Sequence, residues 1–267
     1  MNPGVSIEAV GNALRALAEQ FVLPRFRRLR DGDVMQKAHG EIVTVVDQDV
    51  EEALAPQLRA LLPGSRVVGE EATSADPGLL DALDQGWVWL LDPVDGTSNF
   101  AAGREAFAMM VALLRDGVAV ASWIYSPISG RLAVAELGSG AFVDGVAVRT
   151  VEPAKPAALS GVVKTRYLPA DFVGTLARGP GGLAAFDEGC GSAGIEYPAL
   201  VEGHWRFLLY WRTLAWDHVP GSLFVTEAGG HVARLDGSPY LAADVRAGLL
   251  AASSHEAWLE ARALLPR

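Results

Sequence analysis

Between Phe107 and Val148 the chain reads as an antiparallel meander, and this stretch limits the fold more than any other. Met109-Met110-Val111-Ala112-Leu113-Leu114 and Val118 to Tyr125 flank an Asp116-Gly117 turn. Arg131 to Leu137 and Ala141 to Val148 follow, the latter holding Asp144-Gly145. Asp-Gly between apolar runs is a hairpin signal because both residues accept positive φ. Helical patterns lie on either side. Val10, Leu14, Leu17, Phe21 and Val22 predict a helix over 5–29, and a second helix runs from Asp47 to Leu62, stopped by Pro63-Gly64. Residues 31–40 between them read as a loop, from Asp31-Gly32-Asp33 and His39-Gly40. Arg66 to Val68 and Trp87 to Leu91 are apolar strands. Further on, a strand at 159–164, helices at 170–177, 192–202 and 217–228, a strand at 249–252 and a helix at 255–265 complete an α+β pattern without internal repeats. The natural break is Val151-Glu152-Pro153-Ala154-Lys155-Pro156, dividing the chain into 1–150 and 151–267.

The 267 residues carry a net charge of -10, which disfavours nucleic acid as a partner. The densest basic stretch, Arg25, Arg27, Arg28 and Arg30, lies at a helix end, where cations suit the helix dipole. Cys190 is the only cysteine, so no internal disulfide forms, which suits the reducing cytoplasm. No activating base for Cys190 is evident. The first ten residues lack a signal-peptide pattern and no apolar run approaches about 20 residues, so no membrane association is expected.

The chemistry concentrates at Asp92-Pro93-Val94-Asp95-Gly96-Thr97-Ser98-Asn99-Phe100, just past an apolar strand. Two carboxylates separated by two residues on a tight turn can converge on one hard cation, or simply cap the turn. Proline discourages continuation of the strand, and glycine allows a sharp turn and close backbone approach. Free N–H groups at the start of a following helix can cradle an anion. Carboxylates beside an anion cradle suggest phosphate bound through magnesium, which prefers oxygen ligands. Gly69-Glu70-Glu71 also follows a strand, the position where open α/β sheets place ligands.

The nonamer, Gly69-Glu70-Glu71, Glu41-Ile42-Val43-Thr44-Val45-Val46-Asp47 with Glu51, and Trp216-Asp217 leading to Thr226-Glu227-Ala228-Gly229-Gly230 together resemble the inositol monophosphatase superfamily. Gly138-Ser139-Gly140-Ala141, Asp144-Gly145 and Gly191-Ser192-Ala193 add to the match, which covers nearly the whole chain. The resemblance implies a five-layered α-β-α-β-α sandwich, commonly a homodimer, and a lithium-sensitive, magnesium-dependent phosphomonoesterase. It implies that Glu70, Asp92 and the Val94 carbonyl hold one magnesium, Asp92, Asp95 and Asp217 a second, and Glu70 a weaker third. Asp47, Glu70 and Thr97 would then be catalytic, activating a water for direct in-line attack on phosphorus. Asp95, Gly96, Thr97, Gly191, Ser192, Ala193, Tyr210, Arg212 and Asp217 would line the substrate, a small phosphorylated metabolite. Four carboxylates and a phosphate need further positive charge, and Lys37 is either that cation or a solvated surface lysine.

The chain departs from the resemblance in places. Glu41 stands where the family usually has aspartate. Tyr210 falls where the inositol phosphatases carry an acid that grips substrate hydroxyls, and a tyrosine is no ionised acceptor at pH 7. Trp205 to Trp211 is either a strand core or the wall of a pocket for a larger substrate, with Arg212 near a second anion. His218 is either a partner of the metal ligands or a satisfied helix histidine. Alternative substrates are 3'-phosphoadenosine 5'-phosphate, histidinol phosphate and a sugar bisphosphate. A metal- and phosphate-binding regulatory protein is the reading outside enzymology.

Overall fold

A computed structural model describes residues 4–37, 41–151, 160–179, 182–183 and 186–266. The first half contains α1 (Ile7–Leu17), β1 (Val34–Gln36), β2 (Ile42–Thr44), α2 (Val45–Leu61), β3 (Arg66–Gly69) and α3 (Glu70–Ala75). It continues through β4 (Trp87–Asp95), α4 (Thr97–Ala101), β5 (Ala108–Arg115), β6 (Val118–Ser126), β7 (Arg131–Glu136), β8 (Gly140–Val143) and β9 (Val146–Val148). The second half holds β10 (Gly161–Val163), α5 (Ala170–Arg178), α6 (Ala193–Val201), β11 (Phe207–Tyr210), α7 (Ala215–Glu227), β12 (His231–Arg234), β13 (Leu249–Ala252) and α8 (His255–Leu264).

Among the described residues, β3 to β9 form one seven-stranded sheet in chain order, and a four-stranded sheet runs β10-β11-β13-β12. Strand alternation explains the layering. On the large sheet Trp89, Leu91, Val111, Leu113 and Trp123 pack with Leu14, Val50 and Leu54 of α1 and α2. Their neighbours Ala108, Met110, Ile124 and Ala133 face the opposite way, toward Tyr197 and Phe224 of α6 and α7. Leu208, Tyr210 and Ala251 of the small sheet close over those same helices. On its far side Phe207, Leu209 and Leu250 pack with Phe172 of α5 and Trp258 of α8. The result is the α-β-α-β-α sandwich. At its centre α6 and α7 touch so closely that a Cβ on Gly221 would lie 1.9 Å from Cδ2 of Tyr197.

Several expected boundaries move. The helix expected over 5–29 stops at Leu17, widens into a π turn at Ala18–Val22 and then breaks up, because Pro24 has no N–H to extend the ladder. The loop expected at 31–40 contains β1, which pairs with β2 from Val34↔Thr44 to Gln36↔Ile42. All three β1 residues are exposed, so no alternation marks them. The helix expected to begin at Asp47 begins at Val45. His39-Gly40 and most of the 151–156 break lie outside the described residues.

Candidate active site

The two carboxylates of the nonamer reach one face by a route different from the expected turn. β4 does not end at Leu91 but runs on to Asp95. Strict alternation would place residues three apart on opposite faces. Opposite β5, however, Asp92 pairs with Met110 and Asp95 with Ala108, three residues against two. This β-bulge absorbs the odd residue. Met110 and Ala108 both face α6 and α7, so Asp92 and Asp95 do too. Pro93 fits the bulge because it has no ladder donor to lose. Gly96, at φ 88°, then turns the chain into α4, whose first N–H groups have no partner within the helix.

Other elements supply the rest. Glu70 opens α3 directly after β3. The Glu51 carboxylate accepts N–H bonds from Glu71 (2.9 Å) and Ala72 (2.8 Å), fixing that corner. Asp47 lies in the first turn of α2 and completes a capping box, accepting the Thr44 N–H at 2.8 Å and its hydroxyl at 2.6 Å. Its other oxygen lies 3.1 Å from the Thr97 hydroxyl, which also donates to the Val94 carbonyl at 2.9 Å. Asp217 comes from the first turn of α7.

These side chains border one cavity of about 440 Å³. Glu70, Asp92, Val94, Asp95, Gly96, Thr97, Gly191, Ala193, Tyr210, Arg212 and Asp217 all line it. Asp47 is fully buried and communicates with it through Thr97. Ser192, expected at the substrate, does not line the cavity. Its hydroxyl donates to Asp95, which also accepts the Gly194 N–H at 2.7 Å, and it caps α6. A buried carboxylate outcompetes a substrate for that donor.

The electrostatics are those of crowded carboxylates. Asp92 is held well above the usual range by burial and by the charges of Glu70, Asp95 and Asp217. Asp217 is raised for the same reasons, burial first. Burial lifts Asp95 to about 6 against the pull of Ser192 and Gly194, and lifts Asp47 to about 6 against its bonds from Thr44. Lys37 is not a solvated lysine: its ammonium lies 2.9 Å from Glu70 and 2.6 Å from Glu71. Burial opposes its charge and the two glutamates restore it.

A cation would fit here. Asp92 Oδ1 is buried without a hydrogen-bond partner, a costly arrangement that an ion would relieve. Yet among the described residues no three acidic, imidazole or thiol side chains already surround one point as a ligand shell. Glu70 is turned to Lys37, and Asp95 spends one oxygen on Ser192 and Gly194. Only the free oxygens, with the Val94 carbonyl, would remain to hold a metal ion.

The family model described as "Inositol monophosphatase family" matches residues 5–265. The chain belongs to the inositol monophosphatase family. Its members are phosphoric monoester hydrolases, and this chain is a phosphatase of that family. An inositol-1-monophosphatase of Mesorhizobium japonicum is 30% identical over 246 residues, covering 87% of this chain and 85% of the relative. A "Nus factor SuhB" of Pasteurella multocida is 29% identical, with 89% and 87% covered. Among solved structures, an IMPase from Thermotoga maritima superposes with TM-score 0.77 at 22% identity, covering 96% of both chains. That likeness shows the sandwich fold.

Other side chains of this family member went unread in the sequence. Glu196 of α6 is fully buried and accepts the Tyr210 hydroxyl at 2.7 Å and Lys164 at 2.9 Å. It also takes the N–H groups of Cys190 and Gly191. Only its place four residues past Ser192, facing inward, could have marked it. Arg212 pairs with Glu41 and stacks on Tyr167, 4.6 Å from the ring centre, so it is not the free anion ligand that its position suggested. His218 is a satisfied helix histidine. Nε2 donates to the Arg212 carbonyl at 3.0 Å, which leaves Nδ1 to accept the Tyr197 hydroxyl at 3.1 Å. Burial drops its pKa to about 3, so it is neutral. Burial lifts the Cys190 thiol to about 12, which removes it as a nucleophile.

Proposed function

We propose that this phosphatase is a magnesium-dependent phosphomonoesterase that hydrolyses a small phosphorylated metabolite by direct attack of water. The observation that carries the reading is the buried, unpartnered oxygen of Asp92 among Glu70, Asp95 and Asp217, beside the N-terminus of α4. Two or three magnesium ions on Glu70, Asp92, the Val94 carbonyl, Asp95 and Asp217 would supply the positive charge that admits a phosphate and acidifies a water. The chain's own groups do the rest. The N–H groups of Gly96 and Thr97 bind phosphate oxygens. Gly191 and Ala193 form the facing wall, with Asp95, Asp217 and Tyr210 bounding the space for the alcohol. Thr97 orients the attacking water and takes its proton as the Thr97 hydroxyl proton passes to Asp47, whose pKa of about 6 suits a base near neutral pH. Glu70 helps to hold the water in line.

The proposal divides the chain into halves 1–150 and 151–267, with Asp217 as the ligand contributed by the second. It places the enzyme in the cytoplasm as a lithium-sensitive homodimer. Support for the location is the single cysteine, which leaves no internal disulfide to protect.

The test is hydrolysis of p-nitrophenyl phosphate, inositol 1-phosphate and the alternative esters, with magnesium and with chelator. Turnover should require the metal, and Asp95→Asn should abolish it while leaving the circular dichroism unchanged. Metal-independent turnover would sink the reading. A second reading, a regulatory binding protein, is favoured by relatives named Nus factor SuhB. It predicts that no ester is turned over.

A further inference from the structure

Around Tyr210 and Lys164, the buried acceptors among the described residues are already engaged. Tyr210 lies there, and its hydroxyl donates to Glu196 at 2.7 Å. Both oxygens of Glu196 are in turn occupied, one by Tyr210 and the other by Lys164 and the Cys190 and Gly191 N–H groups. Two further acids on this rim each hold one partner. Glu188 accepts the Thr165 hydroxyl at 2.9 Å, and Glu41 pairs with Arg212.

Cationic donors are left over instead. The Lys164 ammonium has three N–H bonds, and among the described residues only Glu196 takes one. It lies 5.6 Å from the centre of the Tyr210 ring and shares the cavity with Asp95 and Asp217. Arg166 lines the same cavity, two residues along an ordered 3-10 turn at Thr165–Tyr167. Its guanidinium lies 5.2 Å from the Tyr167 ring centre, the ring that also carries Arg212. Among the described residues no carboxylate pairs with Arg166. One aromatic ring thus gathers two guanidinium groups, of which only Arg212 has a carboxylate partner, Glu41, among the described residues.

Resting on the phosphomonoesterase reading, we propose that the alcohol leaving from this site carries a second anionic group, a carboxylate or another phosphate, bound by Lys164 and Arg166. The preferred ester is then a bis-anion and not a neutral polyol monophosphate. Tyr210 and Glu196 position the subsite: the carboxylate fixes Lys164 and removes the phenol as a competing donor. A cavity of about 440 Å³ holds a metabolite of that size.

The experiment is steady-state kinetics of the full chain with magnesium on four esters. These are p-nitrophenyl phosphate, inositol 1-phosphate, 3-phosphoglycerate for the carboxylate and fructose 1,6-bisphosphate for the second phosphate. At least one bis-anion should exceed inositol 1-phosphate in kcat/KM by tenfold or more, and which one it is tells carboxylate from phosphate. Arg166→Ala, an exposed site without an acidic partner, should lower kcat/KM for that bis-anion about tenfold more than for p-nitrophenyl phosphate. Most of the loss should lie in KM, as expected for one charge-assisted contact. A wild type that prefers inositol 1-phosphate, or an Arg166→Ala loss equal for all esters, overturns the subsite. If no ester is hydrolysed, p-nitrophenyl phosphate included, the phosphatase reading falls, and calorimetric binding of the same esters still decides the subsite. Bis-anions bound no tighter than inositol 1-phosphate refute it.

Discussion

Asp47→Asn should flatten the pH dependence of stability in the metal-free protein. The carboxylate is fully buried, and burial carries its pKa from 3.8 to about 6. That gap of about two units corresponds to about 3 kcal/mol at about 1.4 kcal/mol per unit. The sign follows from where the proton sits. Between about pH 4 and pH 6 the folded chain keeps a proton on Asp47 that the unfolded chain has released. The stabilisation is therefore complete below the unfolded value and disappears as pH rises through the folded one. Asparagine does not titrate, and its oxygen still accepts one bond from Thr44. Other raised carboxylates, such as Glu71 at about 7, contribute to both proteins and largely cancel in the difference. Urea denaturation in chelator from pH 4 to pH 7.5, followed by circular dichroism, measures that difference. Wild type should lose about 3 kcal/mol relative to the variant across the range. Parallel curves would mean that Asp47 ionises as freely inside the protein as outside, and the proton-acceptor role assigned to it would lose its physical basis.

Three further outcomes are expected. Asp92→Asn removes a buried charge crowded by Glu70, Asp95 and Asp217, so the metal-free melting temperature should rise while the shift on adding magnesium vanishes in differential scanning fluorimetry. Glu196→Ala strands Lys164 and two N–H groups beside a buried site and should cost about 3–5 kcal/mol in urea unfolding. Gly221→Ala drives a methyl into the fully buried Tyr197 ring and should destabilise by about 3 kcal/mol, read as a lowered melting temperature with the wild-type metal response.

The sandwich and the carboxylate set were legible in the sequence for different reasons. Strands such as Trp87 to Leu91 carry continuous apolar runs because both faces of the large sheet are covered, and β13 was read with its bounds intact. The ends of α2, α6 and α7 moved by only one or two residues. What escaped were features whose signal lies in three dimensions. β1 is exposed throughout and has no pattern to show. The bulge in β4 depends on register against β5, which one strand does not record. Glu196 resembles any first-turn glutamate until the fold brings Tyr210 and Lys164 to it. Arg212 was read as a free cation because Glu41, far away in sequence, is its partner only after folding.

The bulge between Asp92 and Asp95 has a consequence for inheritance. It leaves the Val94 carbonyl to the Thr97 hydroxyl instead of committing it to a regular ladder. A main-chain oxygen survives every point substitution at its own codon, so residue 94 is free to drift among side chains that suit the core. Under the proposed metal-binding role, selection on this oxygen would fall instead on the number of residues between the two aspartates and on Pro93 and Gly96, which shape the path. One group at the centre of the site is thus written in the length of the chain and not in the identity of any residue.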